Sequence, residues 1–369
     1  MSDRATRCLG VEGARTRLIG ALPGEGVGPE VVRAALRVVE AVLAASGQTV
    51  EVRFGGDIGR LSERAGNAAL PVSAQRFCEQ IFAEGGVILN GPGGGRYVYD
   101  LRRTFDLFFK ISPIQARYAA LDAGRLRPER LTDLDLIVTR ENSGGVYQGE
   151  PTEGRSADGS RWAAHTFRYD EAQVQRFLDA SARLAASRRG RLTVVWKDAG
   201  ATSMSRLWRA VAEDAAARAG VSLALVDVDL MAYRVIQHHD ELDVVAAPNL
   251  FGDVIGDLAA ALLGSRGNSF SGNYTAAGDA VYQTNHGSAY DLAGTDRANP
   301  CGQIFSVAMM LRESFALERE ATAIERGVRA VWSAGLRTAD VAAPGCRVVG
   351  TQALADEVVR ASVRAFEAL

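Results

Sequence analysis

Asp253 and Asp257 stand four residues apart in the segment Asn249-Leu-Phe-Gly-Asp253-Val-Ile-Gly-Asp257. On a helix that starts near Gly252, both side chains project from one face, a turn apart. The apolar run Val244–Ala247 leads straight into them. Hard oxygen ligands beside a strand end suit a divalent cation, and such strand ends are where open α/β sheets bind ligands. The spacing alone describes two solvated helix aspartates equally well.

The basic residues carry a second signal. Of 42 lysines and arginines, only Lys110 and Lys197 are lysines. Arginine stays charged, whereas lysine can lose its proton, so a lysine kept against such a bias is a candidate for a task that guanidinium cannot do. Chance survival is the competing account. Arg140, Lys197, Asp229 and Asp253 all fall near the ends of apolar, strand-like runs. Converging strand ends favour one shared site.

The elements that must position these residues alternate in type. Strand-like runs occupy residues 16–22, 86–90, 134–140, 192–196, 222–227 and 244–247. Helical periodicity covers residues 29–45, 170–187, 205–219, 304–317 and 322–334. This order predicts an α/β fold with a largely parallel sheet. Residues 264–285 are small and polar and read as a long loop. No internal repeat is visible.

A chain of 369 residues suggests two domains or one large one. Apolar residues make up 47% and charged residues 23%, the balance of an ordinary globular protein. A net charge of −2 gives no electrostatic basis for binding nucleic acid or a membrane surface. No apolar run is long enough to span a bilayer. The first residues lack the apolar core of a signal peptide, so a cytoplasmic location is expected. Cys8, Cys78, Cys301 and Cys346 are scattered and read as reduced thiols, not as a disulfide or zinc framework.

The segment Leu22-Pro-Gly-Glu-Gly-Val-Gly-Pro is neither a Walker loop nor a dinucleotide fingerprint. It reads as a tight turn needing positive φ. Farther along come Leu101-Arg102-Arg103, then Thr139-Arg140-Glu-Asn-Ser-Gly-Gly-Val-Tyr147. The aspartate segment follows, and then His286-Gly-Ser-Ala-Tyr-Asp291 with Asn299-Pro. In this order, the four segments resemble the β-decarboxylating dehydrogenases, which include isocitrate, 3-isopropylmalate, homoisocitrate and tartrate dehydrogenases. The resemblance runs from about Leu18 to the C-terminal helix.

The resemblance implies an isopropylmalate dehydrogenase-like, two-domain α/β/α sandwich. Residues 1–115 with 265–369 would form a cofactor-binding domain, and 116–264 a dimerisation and substrate/metal domain. It implies metal- and NAD-dependent oxidative decarboxylation of a 3-substituted malate, a 2-hydroxy diacid, to a 2-oxo acid. Mg²⁺ or Mn²⁺ would sit on Asp253 and Asp257, with Asp229 coming from the other subunit of a homodimer. Lys197 matches the family's catalytic lysine, also donated across the dimer. Nearby metal and arginine charges would lower its pKa and favour a base role. Tyr147 matches the residue that protonates the enolate carbon. Arg102 and Arg140 match carboxylate-binding arginines, whose planar fork pairs bidentately. Asp291 matches the acidic residue on the adenosine ribose, whose charge repels a 2′-phosphate and so favours NAD. His286, Gly287 and Asn299 fall at adenine-side positions. Plainer readings stand beside these: a helix N-cap for Asp229, and a core aromatic for Tyr147.

The chain also departs from the family. Where a third substrate arginine usually precedes a proline, it reads Ile111-Ser112-Pro113. Arg96, Arg103 or Lys110 remain to compensate, or the substrate presents a different group there. Gly95–Tyr99 matches neither the isocitrate nor the isopropylmalate pattern, and Val98 and Tyr99 suggest an apolar or aromatic contact. Asp198-Ala199 replaces Ala-Asn, and Gln283-Thr284-Asn285 replaces Glu-Pro-Val. Substrate-binding candidates are therefore Arg102, Arg140, Val98 and Ser112, and an isopropylmalate-like diacid is the default. The alternatives are an isocitrate, homoisocitrate or tartrate dehydrogenase, a catalytically silent member, and oxidation without decarboxylation.

Overall fold

The computed structural model describes residues 17–124 and 126–369. The N-terminal residues read for a signal segment, together with Cys8 and Thr16, lie outside them. A ten-stranded sheet forms the centre of the described residues. Its strands are β1 (Leu18–Leu22), β2 (Glu51–Phe54), β3 (Val87–Asn90), β4 (Phe109–Gln115), β5 (Asp135–Glu141), β8 (Arg191–Trp196), β9 (Ser222–Asp227), β10 (Val244–Ala247), β11 (Phe270–Tyr274) and β12 (Ala280–Thr284). An exposed antiparallel hairpin, β6 (Glu150–Arg155) and β7 (Arg161–Thr166), stands apart from that sheet.

The sheet order is β2-β1-β3-β12-β11-β4-β5-β10-β8-β9. Pairing is parallel on both flanks and antiparallel only at β12–β11, β11–β4 and β4–β5. This is the largely parallel α/β sheet the sequence predicts. Both faces are covered. In β1, Ile19 and Ala21 join the large core, whereas Leu18 and Leu22 join a smaller one. A strand buried on both faces reads as a continuous apolar run, which is why β1, β3 and β10 were legible.

The helices are α1 (Gly28–Ala45), α2 (Gly59–Arg64), α3 (Val72–Ala83), α4 (Tyr97–Thr104), α5 (Glu171–Ala186), α6 (Thr202–Ala219), α7 (Val228–Gln237), α8 (Asn249–Ala260), α9 (Cys301–Glu313), α10 (Glu318–Ser333) and α11 (Thr351–Glu367). Helices α1, α9, α10 and α11 pack on one another, while α3 lies against β1 and β3. The predicted helices recur with ends shifted by a few residues. Asp170 caps α5 by accepting from the Gln173 backbone N–H at 3.0 Å.

One expectation is overturned. Residues 264–285 are not a long loop, because β11 and β12 lie within them at the middle of the sheet. Their polarity has a structural cause. Asn273 stands opposite Lys110 of β4, and Ser271 opposite Gln283, on a face that lines a polar pocket. Phe270 and Tyr274, at the ends of β11, are fully buried in the large core.

Among the described residues no helix is long and apolar enough to cross a membrane. Cys78 and Cys301 are buried and Cys346 is half-buried, all as free thiols.

Candidate active site

Strands β5, β10, β8 and β9 run parallel, so their C-terminal ends share one edge of the sheet. Arg140 lies near the end of β5, Lys197 follows β8 directly, and Asp229 lies two residues beyond β9. Helix α8 follows β10 and presents Asp253 and Asp257 a turn apart, as their spacing predicted. The edge is long, however. Strand β8 stands two places from β5, about 10 Å away at ordinary strand spacing. The predicted residues therefore fall into two groups.

The first group surrounds Arg140. Its guanidinium ion-pairs with Asp253 and donates to Asn249 Oδ1 at 2.7 and 3.2 Å. The Asn249 amide donates onward to the backbone carbonyls of Gly144 at 2.6 Å and Asn142 at 3.3 Å. Asn249 thus ties the aspartate helix to the loop that carries Tyr147. The Tyr147 hydroxyl donates to Asp253 Oδ2 at 3.0 Å. Its ring lies under the Arg140 guanidinium at 5.4 Å and beside the Tyr99 ring at 5.1 Å. Burial and then the Asp253 charge push the Tyr147 pKa up to about 12, so its proton stays on at neutral pH. Burial alone would raise the Asp253 pKa. The Arg140 and Lys110 charges, with the Tyr147 hydroxyl, outweigh it and hold that carboxyl ionised. Asp257, one turn on, pairs with Arg266 at 2.9 Å.

A pocket opens beside this group. It is lined by Val98, Tyr99, Arg102, Lys110, Arg140 and Asp253, and by Arg266, Asn285, His286 and Gly287 on its far side. Arg102, Lys110 and Arg140 are only 5%, 8% and 3% exposed. Burial, then the Arg140 charge, brings the Arg102 pKa down to about 9. The Arg102 Nε has no hydrogen-bond partner. Ser112 is also buried, but Asn285 stands over it, its amide donating to Ser112 Oγ at 3.3 Å. Ser112 is not among the lining residues, whereas Lys110 is. Asn249 and Arg266 were not singled out for this site by sequence, and Lys110 was named only as one of three cations that could compensate for the arginine missing at Ser112. The usable signal for Lys110 was its place as one of two lysines.

The second group holds Lys197. Its ammonium reaches Asp229 at 2.6 Å and Asp227 at 3.3 Å. These hydrogen bonds, Asp229 first, raise the Lys197 pKa. The lowering expected from metal and arginine charges is thereby reversed within one chain, because the neighbours are carboxylates. Asp229 is not a helix N-cap either, since Asp227 occupies that position before α7. Among the described residues no three carboxylate, imidazole or thiol groups gather closely enough to share a metal ion. Within one chain, then, Asp229 does not join Asp253 and Asp257.

Arg266, His286 and Gly287 also line a neighbouring pocket, with Val27, Ala289, Leu292, Asn299 and Asp340. The two pockets are therefore contiguous. Burial lowers the His286 pKa, leaving a neutral ring at pH 7. Gly287 borders open space, so nothing in the chain hinders a close approach there. Asn299 spends its polar atoms internally. It donates to Asn268 and Asp340, both at 2.9 Å, and accepts from the N–H of Cys301, the first residue of α9, at 2.9 Å. Asp291 is exposed between the lining residues Ala289 and Leu292, without lining the pocket itself.

The Gly-rich turn has the plain role its sequence suggested. Gly24 and Gly26 have φ of 77° and 62°. A Cβ on Gly26 would lie 1.9 Å from the Ser288 carbonyl oxygen. Between them, Glu25 is buried and accepts from the Arg60, Leu61 and Gly94 N–H groups and from the Tyr290 hydroxyl at 2.7 Å. It clamps the turn to the segments that border both pockets.

A profile described as isocitrate/isopropylmalate dehydrogenase matches residues 18–358. The chain belongs to the isocitrate/isopropylmalate dehydrogenase family. It is 35% identical to a 3-isopropylmalate dehydrogenase of Geobacillus kaustophilus, over 92% of this chain and 94% of that relative. It is 36% identical to one from Anaeromyxobacter dehalogenans, over 92% of this chain and 97% of the relative. Among solved structures, isocitrate dehydrogenase from Methylococcus capsulatus superposes with a TM-score of 0.82 at 26% identity, covering 94% of this chain and 99% of that one. The protein is thus a dehydrogenase with this family's α/β fold.

Proposed function

We propose that the protein oxidises and decarboxylates a 3-substituted malate with NAD and a divalent metal, working as a homodimer. The observation that carries this reading is the charge of the pocket. Three buried basic groups, Arg102, Lys110 and Arg140, face one carboxylate, Asp253, and a dicarboxylate ligand would favour their charged forms.

Asp253 and Asp257 fit Mg²⁺ or Mn²⁺ as part of an oxygen shell: two half-exposed carboxylates, a turn apart, at the pocket edge. Such an ion would act as a Lewis acid toward the substrate hydroxyl and the ketone it becomes. For NAD, the fit is the neighbouring pocket with open space at Gly287 and the unpartnered Asn285 Oδ1 beside it. Asp291 would disfavour a 2′-phosphate. Arg102 and Arg140 would hold substrate carboxylate, with Val98 near the C3 substituent. Tyr147, which keeps its proton at neutral pH, would give it to C3 when carbon dioxide leaves. Lys197 and Asp229 of a second copy would complete the site, Lys197 taking the hydroxyl proton while hydride passes to the nicotinamide. Support for a homodimer comes from exposed Leu230 and Tyr233 beside Asp229, and exposed Val254 beside Asp253. Support for a two-domain division at 115/116 and 264/265 comes from the sheet order, where each set of strands is contiguous.

The test is steady-state turnover of 3-isopropylmalate, isocitrate, homoisocitrate and tartrate, each with NAD and NADP, with Mg²⁺ and with chelator. Metal-dependent NAD reduction with carbon dioxide release on one diacid is expected. No turnover of any of them would sink the reading in favour of a silent member. Ketone formation without carbon dioxide would leave only the oxidation.

A further inference from the structure

Lys110 lies in β4 with Arg140 directly opposite on β5 and Asn273 opposite on β11. It faces the anion pocket and, among the described residues, has no hydrogen-bond or ion-pair partner. Both conditions are costly. Like charges opposite one another weaken a strand pair, and burial, then the Arg102 and Arg140 charges, push the Lys110 pKa well down, so its charged form is costly until an anion answers it. A group kept at such cost, and aimed into a cavity, marks where a ligand anion arrives.

We propose that Lys110 is a substrate-binding residue whose ammonium takes a carboxylate of the diacid, in the role left vacant by Ser112. The strand geometry makes the exchange possible. Residues 110 and 112 share one face of β4 and stand about 6.6 Å apart along it, a gap that a lysine stem spans. The other two compensating cations do not qualify. Arg96 is exposed, donates to the Tyr147 carbonyl at 3.3 Å and pairs with Asp100 at 3.6 Å. Arg103 is exposed on α4. Neither lines the pocket. An ammonium is a point charge, so it fixes where the carboxylate sits without fixing its plane, as a guanidinium fork would. The carboxylate contact of this enzyme is accordingly looser in orientation than a fork would make it.

This inference rests on the diacid reading above, and its test is a binding measurement that needs no turnover. Malate, 3-isopropylmalate and isocitrate are titrated calorimetrically into the full-length protein with Mg²⁺. Lys110→Met and Lys110→Gln are compared with wild type on whichever diacid binds most tightly. Both variants should lose about tenfold or more in affinity, the worth of a charge-assisted hydrogen bond. The unliganded variants should melt at or above the wild-type temperature, because a buried amine without a hydrogen-bond or ion-pair partner has been removed. A smaller affinity loss, or a loss accompanied by a lower melting temperature, overturns the proposal, since the latter marks a packing role. Wild-type protein that binds none of the three diacids overturns both readings. Lys110-dependent binding without turnover would overturn the reaction and keep the role of Lys110.

Discussion

Lys110 and Arg140 oppose each other across the antiparallel pair β4–β5, both buried, in the middle of the ten-stranded sheet. Arg140 is answered by Asp253 and Asn249, whereas Lys110, among the described residues, has neither a hydrogen-bond nor an ion-pair partner and feels Asp253 only at longer range. Burial, then the Arg102 and Arg140 charges, push the Lys110 pKa well down, so a charged Lys110 is costly at the centre of the sheet, where an apolar residue would be more stable. Folding and binding are set against each other at this point, as is common where a site is built into a core.

Tyr147 holds its proton through burial and the Asp253 charge. Tyr147→Phe removes the proton and one hydrogen bond to Asp253 but keeps the ring under Arg140. Turnover should fall about 10²-fold or more, as for loss of a general acid, with KM for the diacid within a few-fold. Steady-state kinetics decide this, and an unchanged kcat would remove Tyr147 from the chemistry.

Asn299 serves the fold more than the cofactor pocket it borders. Asn299→Ala removes the acceptor for the first N–H of α9 and the links to Asn268 and Asp340. Thermal or denaturant unfolding should show a loss of about 1–2 kcal/mol. The KM for NAD should stay within about twofold if no cofactor contact was lost. A large rise in that KM at unchanged stability would restore the cofactor-binding role.

Glu25 gives a pH signature. Burial would raise its pKa, but the Tyr290 hydroxyl and the Gly94, Arg60 and Leu61 N–H groups outweigh it and lower the value. A carboxylate with a depressed folded pKa stabilises the protein above the unfolded value, and that contribution is lost as pH falls through the folded pKa. Glu25→Gln should cost about 1–3 kcal/mol at neutral pH. The gap between variant and wild type in urea melts should close as pH drops below the ordinary glutamate value of 4.5. A gap independent of pH would mean the charge of Glu25 is irrelevant.

Asp291 is exposed, so its proposed influence on cofactor choice is electrostatic repulsion, without a packed contact. Asp291→Lys should lower the ratio of kcat/KM for NAD over NADP by about tenfold or more, equivalent to about 1.4 kcal/mol. Wild type that already prefers NADP would contradict this assignment.

The sequence by itself determined what depends on local spacing. The aspartate pair on one face of α8, the alternation that makes an α/β fold, and the strand ends bearing Arg140, Lys197 and Asp229 all follow from short-range periodicity. Burial on both faces made the apolar strands readable, and the same patterning hid β11 and β12. Gln283 and Thr284 line the pocket and Asn273 accepts a hydrogen bond from Asn142 beside it, which gave the segment a loop-like composition. Only the tertiary structure decided the pairing register, because hydrogen-bonded neighbours such as β4 and β11 lie far apart in sequence. That register set Lys110 opposite Arg140 and placed it in the pocket while Asn285 covered Ser112. The width of the sheet edge separated Lys197 and Asp229 from Asp253 within one chain.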